Sequence, residues 1–172
     1  MVSEVPISTS QLLSWRLRRN GLEPLIEGDV SEVVTRVVAL RAWPADIADL
    51  SVCVRQVRPE PGALERALTS GELIRSYAFR GGSYVFTHDT AAVLLAVRAT
   101  TRVWETPRFQ QQADFRLDDW EPLREAVRGA LATGPKTRKE LSVHLSEMDA
   151  LKHLTVAATG VGSDSLYKPL HW

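Results

Sequence analysis

The chain has 172 residues, 44% of them hydrophobic and 24% charged, and its 21 basic side chains are balanced by 21 acidic ones. That length can bury a core without disulfides or metals, and the composition is that of an ordered globular chain. A net charge of zero excludes nucleic-acid binding by bulk attraction, so any such contact has to come from local basic patches.

Residues 1–9 carry neither a basic start nor a long apolar run, so no signal peptide is expected. Ser8 or Thr9 can cap a first helix with Leu12, Leu13, Trp15 and Leu17 inward, Arg16, Arg18 and Arg19 presented to solvent, and Gly21 placed to end it. Asp29 or Ser31 can cap a second helix in which Val33, Val34, Val37, Val38 and Leu40 recur at helical spacing. From Pro44 a third helix is expected to put Ile47, Leu50, Val54 and Val57 on one face, with Asp46 and Asp49 near its positive end. Cys53 lies in this apolar pattern and reads as a small buried side chain, which favours a reducing compartment. Residues 62–71 form a short fourth helix with Leu64, Ala67 and Leu68 inward.

The period then changes from helical to alternating. Residues 74–80 place Arg75, Tyr77 and Phe79 on one face of a strand, Gly81-Gly82 reads as a two-residue turn, and residues 83–87 return as a second strand. Asp89 can cap a further helix through Ala92, Val93, Ala96 and Val97, whose longest apolar run, residues 91–97, is far short of the roughly 20 residues that span a bilayer. No membrane association is expected, and the cytoplasm is the expected compartment. Residues 106–117 read as an irregular linker. Beyond it Trp120, Leu123, Val127, Ala130 and Leu131 make one helix, Gly134-Pro135 breaks it, and Thr137 with Glu140 has capping-box spacing ahead of Leu141 and Leu145. Met148, Leu151, Thr155 and Ala158 fit a third helix, and residues 166–172 the opening of a strand.

Twice, then, helices precede a hairpin or strand, the order of a winged helix, in which the hairpin covers the open side of a helical core. The expected fold is mainly α with small β-hairpins (α+β), as tandem winged helix-turn-helix units: residues 1–105, a linker at 106–117, and a second, incomplete unit at 118–172.

Leu13-Ser14-Trp15-Arg16-Leu17-Arg18-Arg19-Asn20-Gly21-Leu22 and Leu73-Ile74-Arg75-Ser76-Tyr77-Ala78-Phe79-Arg80-Gly81 resemble a bacterial winged-helix family. That family includes DNA glycosylases that unhook interstrand crosslinks and remove alkylated purines. Lys168-Pro169-Leu170-His171-Trp172 resembles a second landmark, so the likeness covers nearly the whole chain, whereas family members continue into further domains. The resemblance implies a winged-helix fold, duplex DNA, intact or damaged, as partner, and a role close to DNA repair. Its catalytic motif, Gln-x-Gln, falls on Arg41-Ala42-Trp43, where neither glutamine is present. A glutamine there can position water and steady a developing oxocarbenium ion, whereas arginine is a permanent donor whose charge opposes that cation. The family's wing turn, Arg-Gly-Thr-x-His, is here Arg80-Gly81-Gly82-Ser83-Tyr84. DNA binding without base excision is the expectation, with no catalytic residue.

The candidate DNA-binding residues are Arg41 and Trp43, Arg75, Arg80, Gly81 and Tyr84 at the first wing, and Lys136, Arg138 and Lys139 around a helix start. Two readings stand for each. Arg41 can reach a phosphate and Trp43 stack on a displaced base, or Arg41 can pair with a carboxylate while Trp43 plugs the core. Arg75 and Arg80 can flank a backbone phosphate or stand solvated beside a plain tight turn. Lys136, Arg138 and Lys139 surround free helix amides that favour anions, or they are ordinary surface charge. Gln110-Gln111-Gln112, in the expected linker, does not replace the missing motif. His88, His144, His153 and His171 have no spacing that suggests a metal site, and no cofactor is expected. Two other functions remain open: an active glycosylase in which Asp46, Asp49 or Asp89 positions water, and a protein-docking module; a protein partner, or the family's downstream domains on another chain, are the remaining partner expectations.

Overall fold

The computed structural model describes residues 6–79 and 82–155. It is mainly helical with one three-stranded antiparallel sheet, the α+β class expected. The chain divides into two compact units, Met1–Arg98 and Ala99–Trp172.

In the first unit, helix α1 (Thr9–Arg19) begins at Ser8, whose hydroxyl accepts from the Gln11 amide while the Gln11 side chain accepts from the Ser8 amide. Gly21, at φ 66°, closes the other end: its N–H donates to the Arg18 carbonyl at 3.2 Å and Leu22 N–H to the Leu17 carbonyl at 2.9 Å. Arg36 and Arg55 donate to the carbonyls of Arg18 and Asn20, at 2.8 Å each. The helix is thus held by its last turn and not by a face. Leu12, Leu13 and Trp15, expected inward, are exposed, and Leu17 is half-buried.

Helix α2 (Val30–Val37) is capped by Asp29, which accepts from the Glu32 amide at 2.9 Å, and buries Val30, Val33 and Val34. It stops three residues earlier than its apolar spacing suggests. Val38 sits at φ 69°, ψ −49°, and the Ala39 N–H donates to the Val37 carbonyl at 2.8 Å, a three-residue γ-turn that sends the chain into strand β1 (Leu40–Arg41). Helix α3 (Ala45–Cys53) turns its expected stripe outward: Ile47, Leu50, Val54 and Val57 are exposed, and Ala48 and Val52 are buried. Periodicity says which residues share a face, not which face is covered, and α3 packs through its small side chains. Cys53 is half-buried rather than buried, and partial burial together with the nearby Asp49 carboxylate pushes its thiol pKa up.

Helix α4 (Ala63–Ser70) lies between two left-handed glycines, Gly62 and Gly71, and buries Leu64 and Ala67 as expected. Strands β2 (Ile74–Ala78) and β3 (Gly82–Phe86) form the hairpin, and the sheet order is β1-β3-β2. Gly82 pairs with Ala78, so it belongs to the strand and three residues, not the Gly81-Gly82 pair, make the connection. A Cβ on Gly82 would stand 2.8 Å from the Tyr84 ring, and only glycine fits beneath it. Arg80 and Gly81 lie outside the described residues. Helix α5 (His88–Thr100) is capped by the Thr87 hydroxyl, which accepts from the Thr90 amide at 3.3 Å; Asp89, the expected cap, stands in the first turn. Ala91, Leu94 and Leu95 pack on Ala78 and Phe86, while Val93 and Val97 are exposed.

In the second unit the expected linker is folded. Helix α6 (Pro107–Ala113), capped by the Thr106 hydroxyl, sends Phe109 and Ala113 into a core with Phe115, Leu123, Leu145, Leu151 and Leu154. Phe109 and Phe115 meet edge to face at 5.9 Å, and Phe115 and Trp120 at 5.8 Å. The polar Gln110-Gln111-Gln112 run hid a short helix whose core contacts are only two residues wide. Helix α7 (Trp120–Leu131) buries Leu123 and Ala126, and helix α8 (Arg138–Ser146) buries Leu141 and Leu145. The helix expected through Met148, Leu151 and Thr155 is instead a short 3-10 turn, Lys152–Thr155, that places Leu151 and Leu154 in the core. Ala158, the strand expected at 166–172 and the Lys168–Trp172 landmark fall outside the described residues.

Candidate nucleic-acid interface

Strand β1 positions the first candidates. Leu40 pairs with Val85 and Arg41 with Tyr84, and the ladder continues through the Ala42 N–H, which donates to the Ser83 carbonyl at 3.0 Å. Directly paired residues share a face of a sheet. Leu40 and Ala42 therefore point into the core of α2, α3 and α4, where both are buried, and Arg41 points to the opposite side. Arg41 and Trp43 stand exposed on either side of buried Ala42, Trp43 at 70% of its full surface. Trp43 does not plug the core, and among the described residues no carboxylate pairs with Arg41.

Arg75 and Arg41 do not converge. Arg75 pairs with Val85 and so lies on the core-facing side of the sheet, exposed because β2 is an edge strand. Tyr84 is half-buried in aromatic contacts, edge to face with Phe79 at 5.3 Å and tilted against Phe86 at 6.2 Å, which makes it a packing residue. Arg98 donates to the Tyr77 carbonyl and ties α5 to β2, and its burial lowers the guanidinium pKa. Arg80 and Gly81 carry no structural account.

In the second unit Lys136, Arg138 and Lys139 are exposed around the start of α8, as expected. The helix amides they surround are partly taken. The Thr137 hydroxyl accepts from the Glu140 amide at 3.2 Å, and the Glu140 carboxylate accepts from the Thr137 amide at 2.7 Å and hydroxyl at 2.8 Å. These bonds, the backbone one foremost, hold the Glu140 carboxyl below its usual range, with Lys136 adding to the effect. The helix start thus carries its own anion, which weakens its claim on a phosphate.

The acids considered as alternative catalysts are in structural positions. Asp49 accepts from the Gly62 amide at 3.0 Å, joining α3 to α4, and Asp46 and Asp89 stand in first turns. Among the described residues no group of three His, Cys, Asp or Glu side chains is arranged to hold a metal, and no helix is long and apolar enough to cross a membrane. The feature missed from sequence was β1. Its signal is short but legible, since Leu40, Arg41, Ala42 and Trp43 alternate apolar-in and exposed with a period of two.

A family model described as "DNA glycosylase AlkZ-like" matches residues 34–164. An interstrand DNA cross-link repair glycosylase of Streptomyces sahachiroi is 28% identical over 165 residues, which cover 96% of this chain and 44% of that protein. The solved structure of the Streptomyces sahachiroi DNA glycosylase AlkZ superposes with a TM-score of 0.84 at 28% identity, over 98% of this chain and 45% of that one. The chain spans just under half the length of the relative it matches.

Proposed function

This chain belongs to the DNA glycosylase AlkZ-like family, and from that premise we propose that it is a DNA-binding member that does not excise bases. The observation that carries the reading is the outward placement of Arg41 and Trp43 around buried Ala42, on the strand where the family's glutamine motif falls. An exposed guanidinium there can neutralise a phosphate, and an exposed indole can stack on a displaced base. The arginine charge opposes an oxocarbenium ion, and neither side chain offers an attacking water the acceptor that a glutamine carbonyl would. The order α2, α3, α4, β2, β3 supports a winged helix whose hairpin lies beside a DNA backbone, with Arg75 and Arg80 near it. Lys136, Arg138 and Lys139 are the phosphate-contacting candidates of the second unit taken by itself, and the protein works in the cytoplasm.

The test is fluorescence anisotropy of a labelled duplex, intact or carrying an abasic-site analogue, at two salt concentrations. We expect salt-sensitive binding, with log K falling by about 0.9 per tenfold rise in salt for each phosphate neutralised. Arg41→Ala with Trp43→Ala should weaken it by roughly tenfold or more, the scale of one lost stacking contact of about 1–3 kcal/mol. Duplex binding should also quench Trp43 emission, a signal absent in Trp43→Phe. No binding at low salt would sink the DNA reading and leave protein docking as the better account. Abasic product from alkylated or crosslinked duplex would sink the claim that excision is lost.

A further inference from the structure

The outward turn of α3 leaves a hollow behind it. With Ile47, Leu50 and Val54 facing solvent, the helix turns Ala48 and Val52 inward, and Ala45 and Ala48, each ending in a single methyl, line an opening whose other walls are Ala42, Leu64, Leu68 and Val85. The result is an open-mouthed hollow of about 240 Å³ between α3, α4 and the core-facing side of the sheet. An apolar cavity of about 150 Å³ stays dry and holds benzene, because water there lacks the two to four polar partners it needs. The present hollow differs in opening to solvent, so its apolar lining leaves water only when a ligand covers it.

The rim is polar and of both kinds. Asp49, whose carboxylate is anchored on the Gly62 amide, and Glu65 offer acceptors, and Arg75 offers donors from the edge strand. An apolar floor under a mixed donor and acceptor rim suits a planar heteroaromatic ring whose edge carries both. Two carboxylates against one guanidinium leave the rim negative, so a neutral or cationic ring is favoured and an attached phosphate is repelled. The geometry points to a binding site for a free nucleobase or nucleoside, placed behind the strand that carries Arg41 and on the opposite face of the sheet. It shares Arg75 with the DNA-binding reading but does not rest on it. A bound ring would press on Ala42 from the inner side of β1.

Methyl NMR of the whole chain tests this, with adenine, adenosine, adenosine 5′-monophosphate, benzene and a duplex containing one unpaired adenine as probes. Adenine and adenosine should shift the Ala48, Leu64, Leu68 and Val85 methyls saturably, and the monophosphate should bind at least tenfold more weakly. Ala48→Leu, which fills the floor, should abolish the shifts. Because a leucine at buried Ala48 overpacks the core, Ala45→Leu at the exposed mouth is the second variant and should abolish them as well, with thermal stability retained. Shifts that persist in both variants, or no shift at millimolar adenine, would overturn the site. Benzene binding as tightly as adenine would overturn the role of the rim, and duplex shifting these methyls at lower concentration than adenosine would overturn the free-base assignment.

Discussion

Val38 is the residue on which the placement of Arg41 turns. At φ 69°, ψ −49° it is a β-branched side chain in a region that L residues avoid, and its own side chain is half exposed, so little packing offsets the strain. Such a conformation costs about 1–3 kcal/mol, and glycine adopts it freely at an entropic cost of about 0.5–1 kcal/mol. Val38→Gly should therefore stabilise the first unit by about 1 kcal/mol, seen as a rise of roughly 4–8 °C in its thermal midpoint. An unchanged or lower midpoint would show that the turn is not strained. Gly21 is the converse case. It holds a positive φ, and an added Cβ would meet the Ile26 Cδ1 at 2.8 Å, so Gly21→Ala should lower stability by at least about 1 kcal/mol in the same measurement.

Helix starts carry much of the local order. Asp29 caps α2 through the Glu32 amide, and Asp29→Ala should cost about 1 kcal/mol. The capping box of α8 gives a pH signature. Because Glu140 has a lowered pKa in the folded chain, its contribution is present above the unfolded value of about 4.3 and is lost as pH falls through the folded value. The difference in thermal midpoint between the wild type and Glu140→Gln should accordingly be largest near neutral pH and shrink as the pH is taken below the ordinary glutamate range. A difference independent of pH would mean that the carboxylate charge plays no part. The same caps explain why helix starts were legible: a hydroxyl or carboxylate three residues before a matching amide is a local feature. Thr87 in place of Asp89 shows the limit, since two polar residues with one position between them compete for one role and the packing of α5 on the sheet decides between them.

For the whole molecule the decisive terms are non-local. The second unit rests on an aromatic knot in which Phe115 is 2% exposed between Phe109 and Trp120. Phe115→Ala should cost about 3–5 kcal/mol, enough to unfold a unit of that size, with loss of the near-ultraviolet circular dichroism of Trp120 and of Trp104, which stacks on it at 5.1 Å. Cooperative melting at the wild-type temperature would refute that core. The helices α1 to α5, α7 and α8, the hairpin, the capping box at Thr137 and the family likeness were legible in the chain, because caps, glycines and periods are short-range properties. That Arg41-Ala42-Trp43 fall on the glutamine motif is what the resemblance implies. Which face of α3 is covered, that Trp43 is exposed, that Arg41 and Arg75 lie on opposite sides of the sheet, and that Phe109, Ala113 and Phe115 send residues 106–117 into a core are settled by the packed fold. A period of 3.6 or 2 groups side chains onto a face but is blind to what that face meets, and burial is settled by partners distant in the chain.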